Sequence, residues 1–150
     1  MRSLAREADV TAIRARLGRI SPDSVRRWGR MSAHQMICHV ADAFRMATGE
    51  LPVTDLSSLF GRTVVKGIAL YAPLPWPTGR LQTVPELDRV ASGACSTDFA
   101  ADVASLHTQL DRMVANRTWP MHPIFGRLST AQWLRWGYLH TDHHLRQFGE

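Results

Sequence analysis

The chain has 150 residues, 45% of them hydrophobic and 21% charged, a balance that suits one globular domain rather than a disordered chain. No apolar run approaches the ~18 residues of a membrane span, and the N-terminus lacks the apolar stretch of a secretory signal. Its two cysteines, Cys38 and Cys95, are too few for a disulfide framework. We therefore expect one domain over residues 1–150, cytoplasmic and with reduced thiols.

The formal net charge of +5 is concentrated near the N-terminus. Residues 1–30 hold eight arginines against Glu7, Asp9 and Asp23, and eight minus three gives the whole +5. Such a patch can bind phosphates, so nucleic-acid binding is one hypothesis. A patch of this kind is more often the solvated face of a helix, and we do not expect nucleic acid to be the main partner.

Apolar spacing predicts two helices in the first third of the chain. Residues 9–17 place their apolar side chains on one helical face. The segment Ser21–Trp28 begins with Ser-Pro and predicts a short helical turn. Ser32 and Gln35 then have the S-x-x-Q spacing of a capping box, which starts a second helix running to about Thr48.

The middle of the chain is the least regular part, and two further helices follow it. Residues 55–70 have the pattern of a helix, but the Pro-rich stretch 72–79, with Trp76 at its centre, cannot continue it. Long loops of this kind tend to be lids or partner surfaces. A third long helix is predicted over residues 97–116, and Ser129–Gln132 is a second capping box that opens the last one. The sum is an all-α bundle of four main helices, with a long excursion between helices two and three.

Two histidines near the C-terminus suggest a metal site. His140 and His144 are spaced i, i+4, which places both side chains on one face of the last helix. Two imidazoles so placed can share one metal ion but need a third ligand. His39 is the best third ligand, because it lies mid-helix within an apolar face. Three histidines leave a coordination position open, as in reactive rather than structural metal sites.

The residues around these histidines offer both support and alternatives. Asp42 and Gln147 follow His39 and His144 by three residues and are placed to accept the outer N–H of each ring. His143 could replace His144 in an i, i+3 pair with His140, or close the site as a fourth ligand. An H-x-x-x-H pair is by itself a weak signal, since histidines near a helix C-terminus also favour the helix dipole.

We read the other candidate ligands as structural. Cys38 is interpreted as a small core residue, and His34, His107 and His122 as structural or surface histidines. Gly137 lies on the histidine face of the last helix, where it predicts either a close helix contact or room for a ligand.

Three segments together resemble a known family. Residues Trp28–Asp42, His122–Ser129 and His140–Gly149 are similar to the DinB-like superfamily, in a branch of bacterial proteins with HPxFG and HxxHHLRQFG signatures. The resemblance implies an up-down-down-up four-helix bundle in which one histidine of the second helix and two of the fourth bind a divalent metal. These positions are His39, His140 and His144. It also implies a homodimer.

The same resemblance suggests a function. The superfamily includes thiol-dependent transferases and isomerases, whereas this branch has no assigned reaction. We therefore expect a divalent-metal-dependent enzyme, with zinc, nickel, iron or manganese, that acts on a small molecule as a thiol transferase or a hydrolase, with a low-molecular-weight thiol as one candidate substrate. The alternative is a non-catalytic, metal-containing binding or stress-response module.

Overall fold

The computed structural model describes residues 1–73, 75–78, 84–92 and 95–150, and only the backbone of residues 91–92. The helices are α1 (Glu7–Leu17), α2 (Ala33–Thr48), α3 (Lys66–Tyr71), α4 (Arg89–Ser92), α5 (Phe99–Ala115) and α6 (Thr130–Gln147). A π-helical segment (Gly61–Val65) leads into α3, and a 3-10 turn (Pro85–Leu87) precedes α4. These ranges contain no strand, and one isolated antiparallel bridge joins His122 to Gly126.

The two histidine-bearing helices begin as the sequence predicts. At the start of α2 the Ser32 hydroxyl accepts from the backbone N–H of Gln35 at 3.1 Å, and the Gln35 side-chain oxygen accepts from that of Ser32 at 2.8 Å. Ser129 and Gln132 repeat this reciprocal pair at the start of α6, at 3.2 and 3.0 Å. Both capping boxes satisfy backbone donors that would otherwise lack partners.

Helix α2 is the centre of the bundle. It packs along α5 on one side and against α6 on another, while α1 packs on α6. The largest fully buried side chains come from all four long helices; they include Ile13, Phe44, Leu106, Leu110, Met113 and Trp133. The all-α prediction is confirmed, and the packing is consistent with a helical bundle.

Two predicted elements differ from the structure. Residues Ser21–Trp28 form a turn at Pro22-Asp23 and no helix, because the Ser24 hydroxyl accepts from the backbone N–H of Ser21 at 2.9 Å and holds the turn. The helix predicted from residue 55 begins only at Leu59, because the Asp55 carboxylate accepts from the backbone N–H of Ser57 and keeps this stretch non-helical. Two residues of the predicted Pro-rich stretch, 74 and 79, lie outside the described residues.

The N-terminal arginines join α1 to other parts of the bundle. Five of the eight form ion pairs: Arg2 and Arg6 with Asp9, Arg14 with Asp111, Arg16 with Asp142, and Arg19 with Glu150. The last three cross to α5, α6 and the C-terminus. None of the described helices is long and apolar enough to cross a bilayer.

Candidate metal centre

Three histidine rings meet where α2 crosses α6. His39 comes from the middle of α2, and His140 and His144 come from the last two turns of α6. The Nε2 atom of His140 lies 3.3 Å from the Nε2 atom of His39 and 3.3 Å from that of His144. The three side chains are almost fully buried, with exposed fractions of 3%, 9% and 7% in chain order. The structure therefore gathers the three predicted ligand candidates into one cluster.

The outer nitrogens of two rings have acceptors that fix the tautomer. His39 Nδ1 lies 2.8 Å from the carbonyl oxygen of Leu87, and His144 Nδ1 lies 2.7 Å from the side-chain oxygen of Gln147. An oxygen of either kind can only accept, so each Nδ1 carries the hydrogen. In each neutral ring the Nε2 atom then carries a lone pair, and the lone pairs of His39 and His144 point towards His140.

Burial keeps the rings neutral. Loss of water lowers the pKa of His39, and it lowers the pKa of His140 and His144 well below the usual histidine value, with the neighbouring histidines adding to the effect. His140 Nε2 can carry one hydrogen, and that hydrogen can be donated to only one of the two facing lone pairs. At least one of these buried lone pairs is therefore left without a hydrogen.

The donor set fits a divalent metal ion. A four-coordinate zinc-type ion binds imidazole nitrogens at about 2.0–2.1 Å, which places tetrahedral ligand nitrogens about 3.3–3.4 Å apart. Both measured separations from His140 are 3.3 Å. Outer N–H groups bonded to a carbonyl and an amide oxygen are also the usual support of ligand histidines. His140 Nδ1 has no hydrogen-bond partner among the described residues.

Aromatic rings pack around the cluster. Trp136 stacks on the His140 ring, with centroids 4.9 Å apart and planes 19° apart. Trp76, from the Pro-rich excursion, contacts the rings of His140 and His143 at centroid distances of 6.3 and 5.9 Å. The Trp76 indole N–H donates to the carbonyl of Ala69 at 2.8 Å, which holds its ring over the cluster. Trp76 therefore covers one side of the site.

The structure places the three supporting candidates differently. Gln147 binds His144, as its spacing suggests. Asp42 does not bind His39; its carboxylate instead pairs with Arg45 at 2.8 Å and with Arg89. His143 is buried between Trp28 and Trp76 and is not part of the three-histidine cluster.

Sequence reasoning missed the support that comes from outside α2 and α6. The Leu87 carbonyl belongs to the 3-10 turn of the excursion, and a backbone acceptor leaves no sign in the sequence. Gly29 has a φ of 83°, and a Cβ there would lie 2.8 Å from the Gln147 side-chain nitrogen. A glycine is therefore required beside the residue that orients His144.

A second group of ligand-type residues also escaped the sequence analysis. Ring and sulfur atoms of His34, Cys38 and Cys95 lie within 4.8 Å of one another, although we interpreted Cys38 as a core residue and His34 as structural or surface. The i, i+4 spacing of His34 and Cys38 on α2 was the available signal. His122, by contrast, is buried and structural: its Nδ1 atom accepts from the backbone N–H groups of Ile124 and Phe125.

Fold and site together define an all-α helical protein with a buried three-histidine cluster that could hold a metal ion. The chain belongs to the family described as "Protein of unknown function (DUF1569)", whose model matches residues 2–150. Comparisons with curated proteins and with solved structures found no match.

Proposed function

We propose that this protein is a metal-dependent enzyme of the DinB-like type, in which His39, His140 and His144 bind one divalent ion. The observation that carries the proposal is the convergence of three imidazole nitrogens, in which Nε2 of His39 and Nε2 of His144 each lie 3.3 Å from Nε2 of His140. A buried nitrogen lone pair without a hydrogen is unfavourable, and a cation bound by all three nitrogens removes that cost. The proposal includes one domain over residues 1–150 with the up-down-down-up order of that superfamily.

Each part of the site has a role in this proposal. Leu87 and Gln147 hold the rings of His39 and His144 with their Nε2 atoms inward. Trp136 fixes the plane of His140 by stacking, and Trp76 limits the entry of water. An ion held there would act as a Lewis acid and lower the pKa of a coordinated water or thiol.

We infer thiol transfer to a small electrophile as the reaction class, with hydrolysis as the second choice. The support is the all-nitrogen donor set with a position left for an exogenous group, together with the resemblance to superfamily members that use low-molecular-weight thiols. A cytoplasmic location and a homodimer belong to the same proposal. The metal identity is left to measurement among zinc, nickel, iron and manganese.

Elemental analysis of the purified full-length protein tests the metal site. We expect His39→Ala, His140→Ala and His144→Ala each to lose one metal equivalent, because each removes a third of the donor set. His107→Ala is the matched control, since His107 is a partly buried histidine on α5 that contacts Arg14 and lies in neither cluster. Unchanged metal content in His140→Ala would refute the proposal.

One observation favours a second candidate, a non-catalytic metal-containing module. The cleft of about 400 Å³ beside the site is lined by Trp76, Tyr138 and Asp142 among others, but by none of the three histidines. Azide or a simple thiol added to cobalt-loaded protein separates the two functions. A change in the cobalt d–d spectrum on addition indicates an accessible coordination position and supports the enzyme. An unchanged spectrum at saturating ligand supports the closed module.

A further inference from the structure

We propose that His34, Cys38 and Cys95 form a second divalent metal site, separate from the three-histidine cluster and of a softer, thiolate-rich kind. One ring nitrogen and two sulfurs lie within 4.8 Å of one another. Two sulfurs and an imidazole select zinc-type ions, and each thiol would release its proton to solvent on binding.

The backbone brings these ligands together from two directions. His34 and Cys38 are one turn apart on α2, so their side chains share one face of this helix. Cys95 enters from the segment that follows α4, and its sulfur lies 3.7 Å from the carbonyl oxygen of His34. Although Cys38 is next to His39 in sequence, its sulfur faces Asp102 of α5, whereas the His39 ring faces α6.

The carboxylate of Asp102 lies beside His34 and Cys38 and would complete the set of metal-binding groups. Asp102 Oδ2 lies 2.7 Å from His34 Nε2 and 3.5 Å from the Cys38 sulfur, and it also accepts from the hydroxyl of Ser96 at 2.8 Å. A carboxylate on a ligand histidine is a frequent partner in zinc sites, where it orients the ring and raises its basicity. Asp102 can serve in this way or as the fourth ligand.

The surroundings leave room for an ion. A cavity of about 100 Å³ adjoins the cluster, and its lining includes Cys38, Cys95 and Asp102 together with Arg45 and Arg89. The two arginines in this lining are paired with the carboxylate of Asp42. Two thiolates and one carboxylate carry three negative charges, which a divalent cation would largely offset.

An ion here would act on the fold. It would link the first turns of α2 to the segment that leads from Cys95 into α5. The expected role is structural, because two thiolates, an imidazole and a carboxylate can occupy all four coordination positions of a tetrahedral ion.

Cobalt substitution of the reduced full-length protein tests the second site. Thiolate ligands give cobalt an intense near-ultraviolet charge-transfer absorption, which a three-histidine site cannot give. We expect two cobalt equivalents and this absorption in the wild type. Cys95→Ser should lose one equivalent and most of the absorption, and His34→Gln should weaken cobalt binding at this site by 10-fold or more. Cys95 and His34 are only partly buried, so these variants should fold, as circular dichroism will check.

Variants of the other cluster distinguish the two proposals. His140→Ala should keep the thiolate absorption while it loses the other equivalent, and His107→Gln should keep both. If the three-histidine proposal fails, the wild type will bind one equivalent with the full thiolate absorption. Wild-type cobalt protein without the absorption, or an absorption unchanged in Cys95→Ser, would overturn the second site. The second site would also be overturned if Cys38 and Cys95 form a disulfide in the purified protein and the protein still takes up no cobalt at this site after that disulfide is reduced.

Discussion

The two ligand clusters use the same helix but are built in different ways. The three-histidine cluster takes its ligands from the regular helices α2 and α6, about 100 residues apart in the chain, and buries them almost completely. The cluster of His34, Cys38 and Cys95 lies near the start of α2 and depends on a non-helical segment for its third member. The first is therefore fixed by helix packing, and the second by the position of a connecting segment.

Because of this difference, the two clusters depend on the fold to different extents. A pair of histidines held by a capped helix keeps its spacing whether or not an ion is bound, so the histidine cluster is organised in advance. An ion bound at the cysteine cluster would add stability to the connecting segment, because metal binding to a folded site contributes to the free energy of folding. Helix α2 supplies ligands to both clusters from two different faces. Its adjacent residues His39 and Cys38 point towards α6 and α5 respectively.

Gln147→Ala tests how far the outer support determines the histidine cluster. This change removes the oxygen 2.7 Å from His144 Nδ1 and frees the ring to turn. Loss of such a partner typically costs 10- to 100-fold in metal affinity. We expect a loss in that range at the histidine site and no change at the cysteine site, measured by competition with a zinc chelator.

Asp42→Asn is the matched control for this prediction. Asp42 is equally polar and buried, and follows His39 by the same three residues, but it binds Arg45 and Arg89 instead of the ring. We expect it to lower the free energy of unfolding while metal affinity at the histidine site stays within twofold. Equal losses of affinity in the two variants would show that burial alone, rather than the bond to the ring, sets the site.

Much of the histidine cluster could be predicted from the sequence, because short-range sequence features determine where its helices start and which side chains share a face. A capping box fixes where each helix starts, and a spacing of four residues fixes which side chains share a face. His39 could be chosen because it is a polar residue within an apolar stripe. The partner of His39 could not be predicted, since the Leu87 carbonyl reaches it from a distant turn. Side-chain spacing alone favoured Asp42, which two arginines hold instead.

In the irregular middle of the chain, the sequence pattern does not predict which apolar residues are buried. Helical periodicity from residue 55 onward predicts a buried apolar face, yet Leu59, Phe60 and Ile68 are exposed. An apolar pattern predicts a face but not what covers it. Cys95 illustrates the same limit, because its sulfur lies beside His34 of α2 in the folded chain although no spacing in the sequence relates Cys95 to Cys38.

His122→Asn compares a buried histidine outside both clusters with those inside them. Burial lowers the pKa of His122 to about 3. The unfolded chain takes up a proton near pH 6.5 and the folded chain does not, so stability present above that pH is lost as the pH falls towards 3. Between pH 7 and pH 5 the wild type should lose about 2 kcal/mol through this residue.

The asparagine variant should not show that part of the loss. Its side-chain oxygen can still accept from the backbone N–H groups that His122 Nδ1 binds, but it does not titrate. Urea unfolding at both pH values measures the difference, and the histidine cluster should keep its metal at pH 7. A wild-type and a variant protein with the same pH dependence would assign the acid sensitivity to the clusters instead.

Gly137→Ala tests how tightly side chains pack against α6 at Gly137, three residues before His140. A Cβ at this position would lie 2.9 Å from the ends of the Leu4 and Met113 side chains, so the glycine serves a helix contact. Overpacking of this kind costs about 1–3 kcal/mol, and the better helix propensity of alanine offsets about 1 kcal/mol. Because both neighbours end in flexible groups, we expect the free energy of unfolding in urea to fall by about 1 kcal/mol. Gly67→Ala in α3 is the control, since nothing lies within 4 Å of its Cβ and the change should be neutral or stabilising. If Gly137→Ala instead matched Gly67→Ala, close packing at Gly137 would not contribute to the stability of the bundle.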